Sequence, residues 1–339
     1  MSARPRVVRG RVLTFTDDPS EAGSSSRLYL KDGAILVENG RIERVGEALD
    51  ILAGAPQAAI VDEYSGCLIM PGFIDAHIHY PQTQVIGSYG AQLLDWLHNY
   101  TFIEEQKFSD PAHCARIADF FLDELFRCGT TTAMVYCTVH PQSVDAFFTA
   151  AHRRGARMIA GKTMMDRDAP EALRDTAQRG YDESKALIAR WRRRGRLDYA
   201  ITPRFAITSS KAQLEAAGAL ADEFPEAYVQ THLDENRDEI ELVAKLFPGT
   251  QSYLEVYERA GLLGPRSVFG HCIHLADSEV AALAASRSVA AFCPDLQSFF
   301  GLRPVRSGAA AQGGRKRRAR NRCRRRNELF DAAHRRGGL

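Results

Sequence analysis

The sequence predicts an α/β protein, a TIM-like (β/α)8 barrel that carries a small N-terminal β domain. Three observations lead there. From Gly72 onward, stretches that read as strand alternate with stretches that read as helix, which implies a parallel sheet with crossover helices. Seven strand-like stretches follow one another in this way, and seven or eight such units imply a barrel. Before Gly72 the chain reads as short strands separated by turns.

Within residues 1–70, Arg6–Phe15 is β-branched and partly alternating. Gly33–Ile42 carries the clearest local signal, because Asn39-Gly40 between apolar runs favours a type I′ hairpin. Ser20–Ser26 is a polar loop, and the region is too short to close into a barrel of its own. Residues 71–294 make the main domain. Its expected strands are Phe73–Ile78, Thr130–Cys137, Arg157–Thr163, Leu197–Ile207, Ala227–His232, Ser267–His271 and Ser288–Phe292. Helices precede the second and third strands, at Ala115–Arg127 before Gly129 and at Val144–Arg154 before Gly155. A long Arg- and Ala-rich helix precedes the fourth.

The 339 residues are 45% hydrophobic and 25% charged, an ordinary globular composition. The net charge of +2 conceals an asymmetry. Asp295–Leu339 holds 13 of the 44 Lys/Arg but three of the 42 Asp/Glu, leaving 31 basic and 39 acidic residues before it. An acidic body thus precedes a basic tail, residues 295–339, expected to be without regular structure. Seven scattered cysteines with no Cys-x-x-Cys pair suggest reduced, mostly buried thiols rather than a disulfide framework. No apolar run approaches a membrane span, so the expected setting is soluble and cytoplasmic, with no membrane partner.

The polar residues fall at the ends of the expected strands, where barrels of this class place their chemistry. His77 and His79 lie two apart on the first strand, so both imidazoles point to one face; two convergent neutral imidazoles are half of a zinc site. Alone the pair equally suits two unrelated surface histidines. His232 ends the fifth strand, and Glu235 three residues on suits a proton carrier beside a metal ligand. The same Asp-Glu-Asn run also suits the acidic first turn of a helix. His271 ends the sixth strand after Gly270, a residue able to let the backbone turn at the barrel mouth, and His274 suits an exposed loop residue. Arg204-Phe205 ends the fourth strand and offers donors and a stacking face to a flat polar ring, or a barrel-wall ion pair and a core phenylalanine. Gln82, three residues beyond His79, supplies both a donor and an acceptor.

These segments carry a resemblance. Pro71-Gly72-Phe73-Ile74-Asp75-Ala76-His77-Ile78-His79 resembles the first-strand signature of the amidohydrolase superfamily. His79-Tyr80-Pro81-Gln82, Arg204-Phe205, Thr231–Asn236 and Gly270–Leu275 are similar to the guanine deaminase family within it, and the likeness runs through Phe292-Cys293-Pro294. The resemblance implies one zinc per subunit on His77, His79 and His232, although iron suits the same donors. It implies Glu235 as the acid/base, His271 as the group orienting the water or developing oxyanion, and Gln82, Arg204 and Phe205 as the guanine holders. It also implies guanine and water as substrates, xanthine and ammonia as products, and a homodimer. His-x-Glu with Pro-Cys-x-x-Cys, the pattern of the other zinc deaminases, is absent.

The likeness is expected to stop at Pro294. The family pattern calls for an eighth strand ending in an aspartate, and the chain continues instead with a Gly- and Arg-rich run containing Arg315–Arg326. Back-translated and read one nucleotide later, the codons from Asn321 permit Thr-Asp-Val-Gly-Gly-Gly-Thr-Ser, and those after Pro294 permit Thr-Ser-Asn-Leu-Phe-Leu-Gly-Ser-Gly. Both are family-like, which suggests a frameshift near Pro294. The eighth strand is then missing, and the literal chain is expected to be unstable and weakly active or inactive. Rival readings are an amidohydrolase acting on another aminated heterocycle (8-oxoguanine, cytosine or a triazine), a non-catalytic purine-binding remnant, and a nucleic-acid binder acting through the basic tail. The last leaves the histidines and Glu235 unexplained, so no nucleic-acid partner is expected.

Overall fold

A computed structural model describes residues 4–18, 23–88 and 93–293. Arg6–Phe15 (β1), Arg27–Glu38 (β2), Arg41–Glu47 (β3) and Ile60–Ile69 (β4) form an open sheet ordered β3-β2-β1-β4. Asn39 and Gly40 close the β2–β3 hairpin with φ of 50° and 74°. Both angles are left-handed, as the type I′ turn demands. A short helix, Ala48–Ala53, lays Ala48 and Ile51 on Val7, Ala34 and Leu36 to make a small core. It was not anticipated, since six residues are too few to show a helical period.

The second sheet is parallel and ordered β12-β11-β10-β9-β7-β6-β5. Its strands are Phe73–His79 (β5), Thr130–Tyr136 (β6), Arg157–Gly161 (β7), Asp198–Pro203 (β9), Tyr228–Leu233 (β10), Ser267–His271 (β11) and Val289–Ala291 (β12), with Thr163–Met164 (β8) paired to β9. Helices cross over between them and pack aromatic side chains such as Phe121, Phe147, Phe148 and Trp191 against the strands. Met134, Ile159 and Ala200 form a second, smaller cluster from β6, β7 and β9.

Four boundaries depart from expectation by more than a residue, each for a local reason. The third strand breaks at Lys162, whose backbone N–H donates to the Tyr199 hydroxyl at 3.1 Å. The fourth ends at Pro203, which has no N–H to offer a ladder, and a turn follows in which Thr208 N–H donates to the Phe205 carbonyl. The helices Pro111–Arg127 and Pro141–Arg153 begin earlier than expected. Each starts with proline in its first turn, where the missing N–H costs nothing. The Asp110 carboxylate caps the first of them by accepting from the N–H groups of Ala112 and His113.

The sheet curls far enough to bring the His77 ring on β5 within 4.8 Å of the His271 ring on β11. Among the described residues no ladder joins β12 to β5, so the barrel is nearly closed with one open seam. Ile74 and Phe292, on or beside its two edges, are 75% and 54% exposed. Pro294 to Leu339, and with them the expected departure and the basic tail, lie outside the described residues. No disulfide links the six described cysteines; Cys114, Cys137 and Cys272 are buried, whereas Cys67 and Cys128 are exposed, so burial holds for half of them. No helix among the described residues is long and apolar enough to cross a membrane.

Candidate active site and metal centre

Strand alternation puts His77 and His79 on one face of β5, and β10 brings His232 to meet them. One ring nitrogen from each of the three lies within 4.8 Å of the others. His232 Nδ1 sits 2.7 Å from the Arg204 carbonyl. A carbonyl only accepts, so Nδ1 carries the proton and Nε2 keeps its lone pair. That bare Nε2 stands 3.0 Å from His79 Nε2. Only a proton on His79 or a cation can occupy such a gap without lone-pair repulsion. Two nitrogens about 2.05 Å from zinc at a tetrahedral angle are about 3.3 Å apart, close to the spacing seen. His77 Nε2 and His79 Nδ1 are buried and have no hydrogen-bond partner among the described residues. Burial holds all of these imidazoles neutral, with His77 pushed down to about 4 by burial and the charge of Arg204, and His79 and His232 pushed well below the usual imidazole range by burial and the neighbouring imidazoles. Neutral, convergent and partly orphaned imidazoles fit a metal ion.

Backbone geometry at the strand ends serves the same assembly. Gly270 does not have a left-handed φ; that conformation belongs to its successors His271 (70°) and Cys272 (52°) and to Asp234 (51°). The glycine is needed for space instead, because a Cβ there would lie 2.6 Å from Nδ1 of His77. His271 is buried, and its Nε2 is 3.4 Å from Oε2 of Glu235. His274 is half-buried, not the exposed loop residue the sequence suggested. Cys293 also approaches, its sulfur within 4.8 Å of ring nitrogens of His77 and His271.

Glu235 is buried, and burial together with the negative charge of Glu239 raises its pKa well above the usual carboxylate range. Glu239 supports it from the following helix, Arg237–Leu246. Its Oε2 accepts the N–H groups of Glu235 and Asn236 at 3.0 and 3.1 Å, and its Oε1 accepts the Tyr253 hydroxyl at 2.9 Å. The acidic run thus does both things its sequence allowed. It forms a capping box on that helix, and it also places one carboxyl, Glu235, beside the imidazoles.

Arg204 is 2% exposed and Phe205 4% exposed. The Phe205 ring centre is 6.2 Å from that of His232. Gln82 and Arg204 come together through a residue that the sequence reading passed over: Glu105, whose Oε1 is 2.9 Å from Arg204 Nη1 and 3.5 Å from Gln82 Nε2. Glu105 sits in a run of short helical turns between residues 93 and 109 that shows no barrel period. Tyr136 was missed as well. It stacks on His79 with ring centres 4.3 Å apart, and its place at the end of β6 was the available signal. All eight residues singled out from the sequence converge on one end of the barrel.

The comparisons with known proteins agree with this geometry. The model of the amidohydrolase family matches residues 68–311, running past Pro294, where the sequence likeness was expected to end. The guanine deaminase of Escherichia coli (strain K12) is 47% identical over 299 residues, 87% of this chain and 68% of that protein. The solved structure of the E. coli guanine deaminase superposes with a TM-score of 0.85 at 46% identity, over 88% of this chain and 69% of that one. A guanine deaminase from C. acetobutylicum, solved with guanine bound in its active site, gives 0.80 at 28% identity over 88% and 70%. The chain belongs to the amidohydrolase family and, within it, stands with the guanine deaminases.

Proposed function

We propose that this chain hydrolyses guanine to xanthine and ammonia, with zinc on His77, His79 and His232. The observation that carries the reading is the convergence of three neutral imidazoles, a buried carboxyl at Glu235 and an arginine–aromatic pair at one barrel mouth. It is supported by the likeness to a guanine deaminase that holds guanine in its active site. A bound zinc would supply Lewis acidity, which lowers the pKa of water towards neutrality. Glu235 takes the proton of the attacking water and passes it to the ring nitrogen beside C2. Its raised pKa suits that work, because the carboxyl must hold the proton between two transfers. His271, neutral and 3.4 Å from Glu235, orients the water or the developing oxyanion. Arg204 and Gln82 bind the polar edge of the purine and Phe205 its face, so an analogue lacking one polar group leaves a buried partner unsatisfied. Glu235 then carries the remaining hydroxyl proton to the amino group, and collapse of the tetrahedral intermediate breaks the C2–N bond, expels ammonia and leaves the C2 carbonyl of xanthine.

The proposal extends to an organisation of residues 1–70, 71–294 and 295–339, to a homodimer and to a cytoplasmic setting. Ammonia release measured on guanine, 8-oxoguanine, cytosine and a triazine tests the substrate. The expected order puts guanine first, and a clear preference for another member overturns the reading. Guanine binding without ammonia release identifies the purine-binding remnant instead.

A further inference from the structure

Glu105 has no role in the reaction as described, yet two of the three proposed purine-binding residues meet on it. Its side chain is 1% exposed. Both its oxygens accept from Nη1 of Arg204, at 2.9 and 2.7 Å, and Oε1 stands 3.5 Å from Gln82 Nε2. Phe102, from the same helical turn, places its ring centre 5.5 Å from the guanidinium carbon. Nε and Nη2 of Arg204 take no partner among the described residues and remain as donors for a ligand. The other ionisable groups that feel the charge of Arg204 are His77, His79, His232, Tyr136 and Glu235. Burial favours the neutral form of each. Glu105 is the acidic side chain in direct contact with Arg204, with both of its oxygens on Nη1.

Resting on the guanine reading, we propose that Glu105 is a positioning residue that also sets the charge of the purine pocket. It fixes the guanidinium and cancels its charge, so that the pocket accepts a neutral purine and refuses an anionic one. The chemistry gives this a purpose. Guanine is neutral at neutral pH, whereas xanthine, the product, is a weak acid that loses a proton close to neutral pH. An uncompensated buried guanidinium would hold the xanthine anion, and the Glu105–Arg204 pair lets it go. A unit charge about 6 Å from the ligand at an effective dielectric of about 20 changes affinity on the order of 100-fold, and a loss to solvent still leaves roughly tenfold.

The test is equilibrium binding of guanine and xanthine to the zinc-loaded full chain. It is done in mildly acidic buffer, where xanthine is neutral, and in mildly alkaline buffer, where it is an anion. The chain is expected to prefer guanine and neutral xanthine. Glu105→Gln is expected to bind the anion roughly tenfold more tightly, and Glu105→Asp, which keeps the charge, to behave as the parent. A folded Glu105→Gln with an unchanged anion-to-neutral ratio overturns the proposal. If that variant does not fold, Arg204→Gln is compared with Arg204→Gln/Glu105→Gln, where loss of the Glu105 charge must again raise anion affinity and equal ratios again overturn it. A parent chain that binds neither purine overturns the guanine reading as well, whereas guanine binding with an unmoved ratio overturns this inference alone.

Discussion

Replacing Glu235 by glutamine separates chemistry from folding and from metal binding. The side chain keeps its size, and the glutamine leaves His77, His79 and His232, the trio that fits a metal, unaltered. General acid–base catalysis by a positioned group contributes about 10²–10⁴-fold, or about 2.7–5.4 kcal/mol at 1.36 kcal/mol per decade. The structure puts this case at the upper end, because neither neighbouring carboxyl can stand in. Glu239 has both oxygens engaged by two backbone N–H groups and Tyr253, and burial with the charge of Glu279 pushes the Asp234 carboxyl up to about 9, so it holds its own proton at neutral pH. Turnover is therefore expected to fall by about 10⁴. Stability moves the other way. Burial raises the folded-state pKa of Glu235 above the unfolded value of about 4.3, so ionising it costs stability as pH rises from that value through the raised one. Glutamine removes that cost, and the melting temperature at neutral pH is expected to be equal or higher. The assays are ammonia release, zinc content by elemental analysis and a thermal melt. Parent-like ammonia release from a zinc-loaded Glu235→Gln would refute the assignment of the acid/base.

Two further outcomes follow from buried geometry. Gly270→Ala drives a methyl group into the His77 ring and is expected to lower zinc affinity at least tenfold, as read by metal titration against a competing chelator; unchanged affinity refutes the spatial argument. Lys162→Met strands the Asp175 carboxylate, whose side chain is fully buried like that of Lys162, and leaves it neutral donors such as the Gln213 amide at 2.6 Å. Breaking a buried pair in this way costs about 3–5 kcal/mol. The loss is expected in urea melts at neutral pH and should shrink in acid, because burial already raises the Asp175 pKa and protonation removes the stranded charge.

How far the sequence was legible depends on how local each signal is. The Asn39-Gly40 hairpin, the β11 limits and the His-x-His pair were readable because two or three adjacent residues carry the whole physics. Strand ends were readable less sharply. Pro203 and Lys162 end ladders through the partners their backbones lack or take elsewhere, and Lys162 does so through Tyr199, which is distant in sequence. Glu105 illustrates the limit. Its meaning lies wholly in Arg204, 99 positions away, and nothing beside it in the chain announces a partner. Gly270 was singled out for the wrong property, since glycine as a swivel and glycine as a space look identical in a sequence. The run Glu235–Glu239 shows the reverse, since two readings that looked exclusive fit one stretch: a capping box on the helix and a buried carboxyl 3.4 Å from His271.

The seam between β12 and β5 would give a metal on these histidines a mechanical part. His77 and His79 stand on one lip of the curled sheet, while His232 stands two strands in from the other lip. An ion held by all three would work as a clasp, drawing the lips together where no backbone ladder does so among the described residues. Its binding free energy would then count towards closure of the fold, and metal affinity and barrel integrity would rise and fall as one quantity.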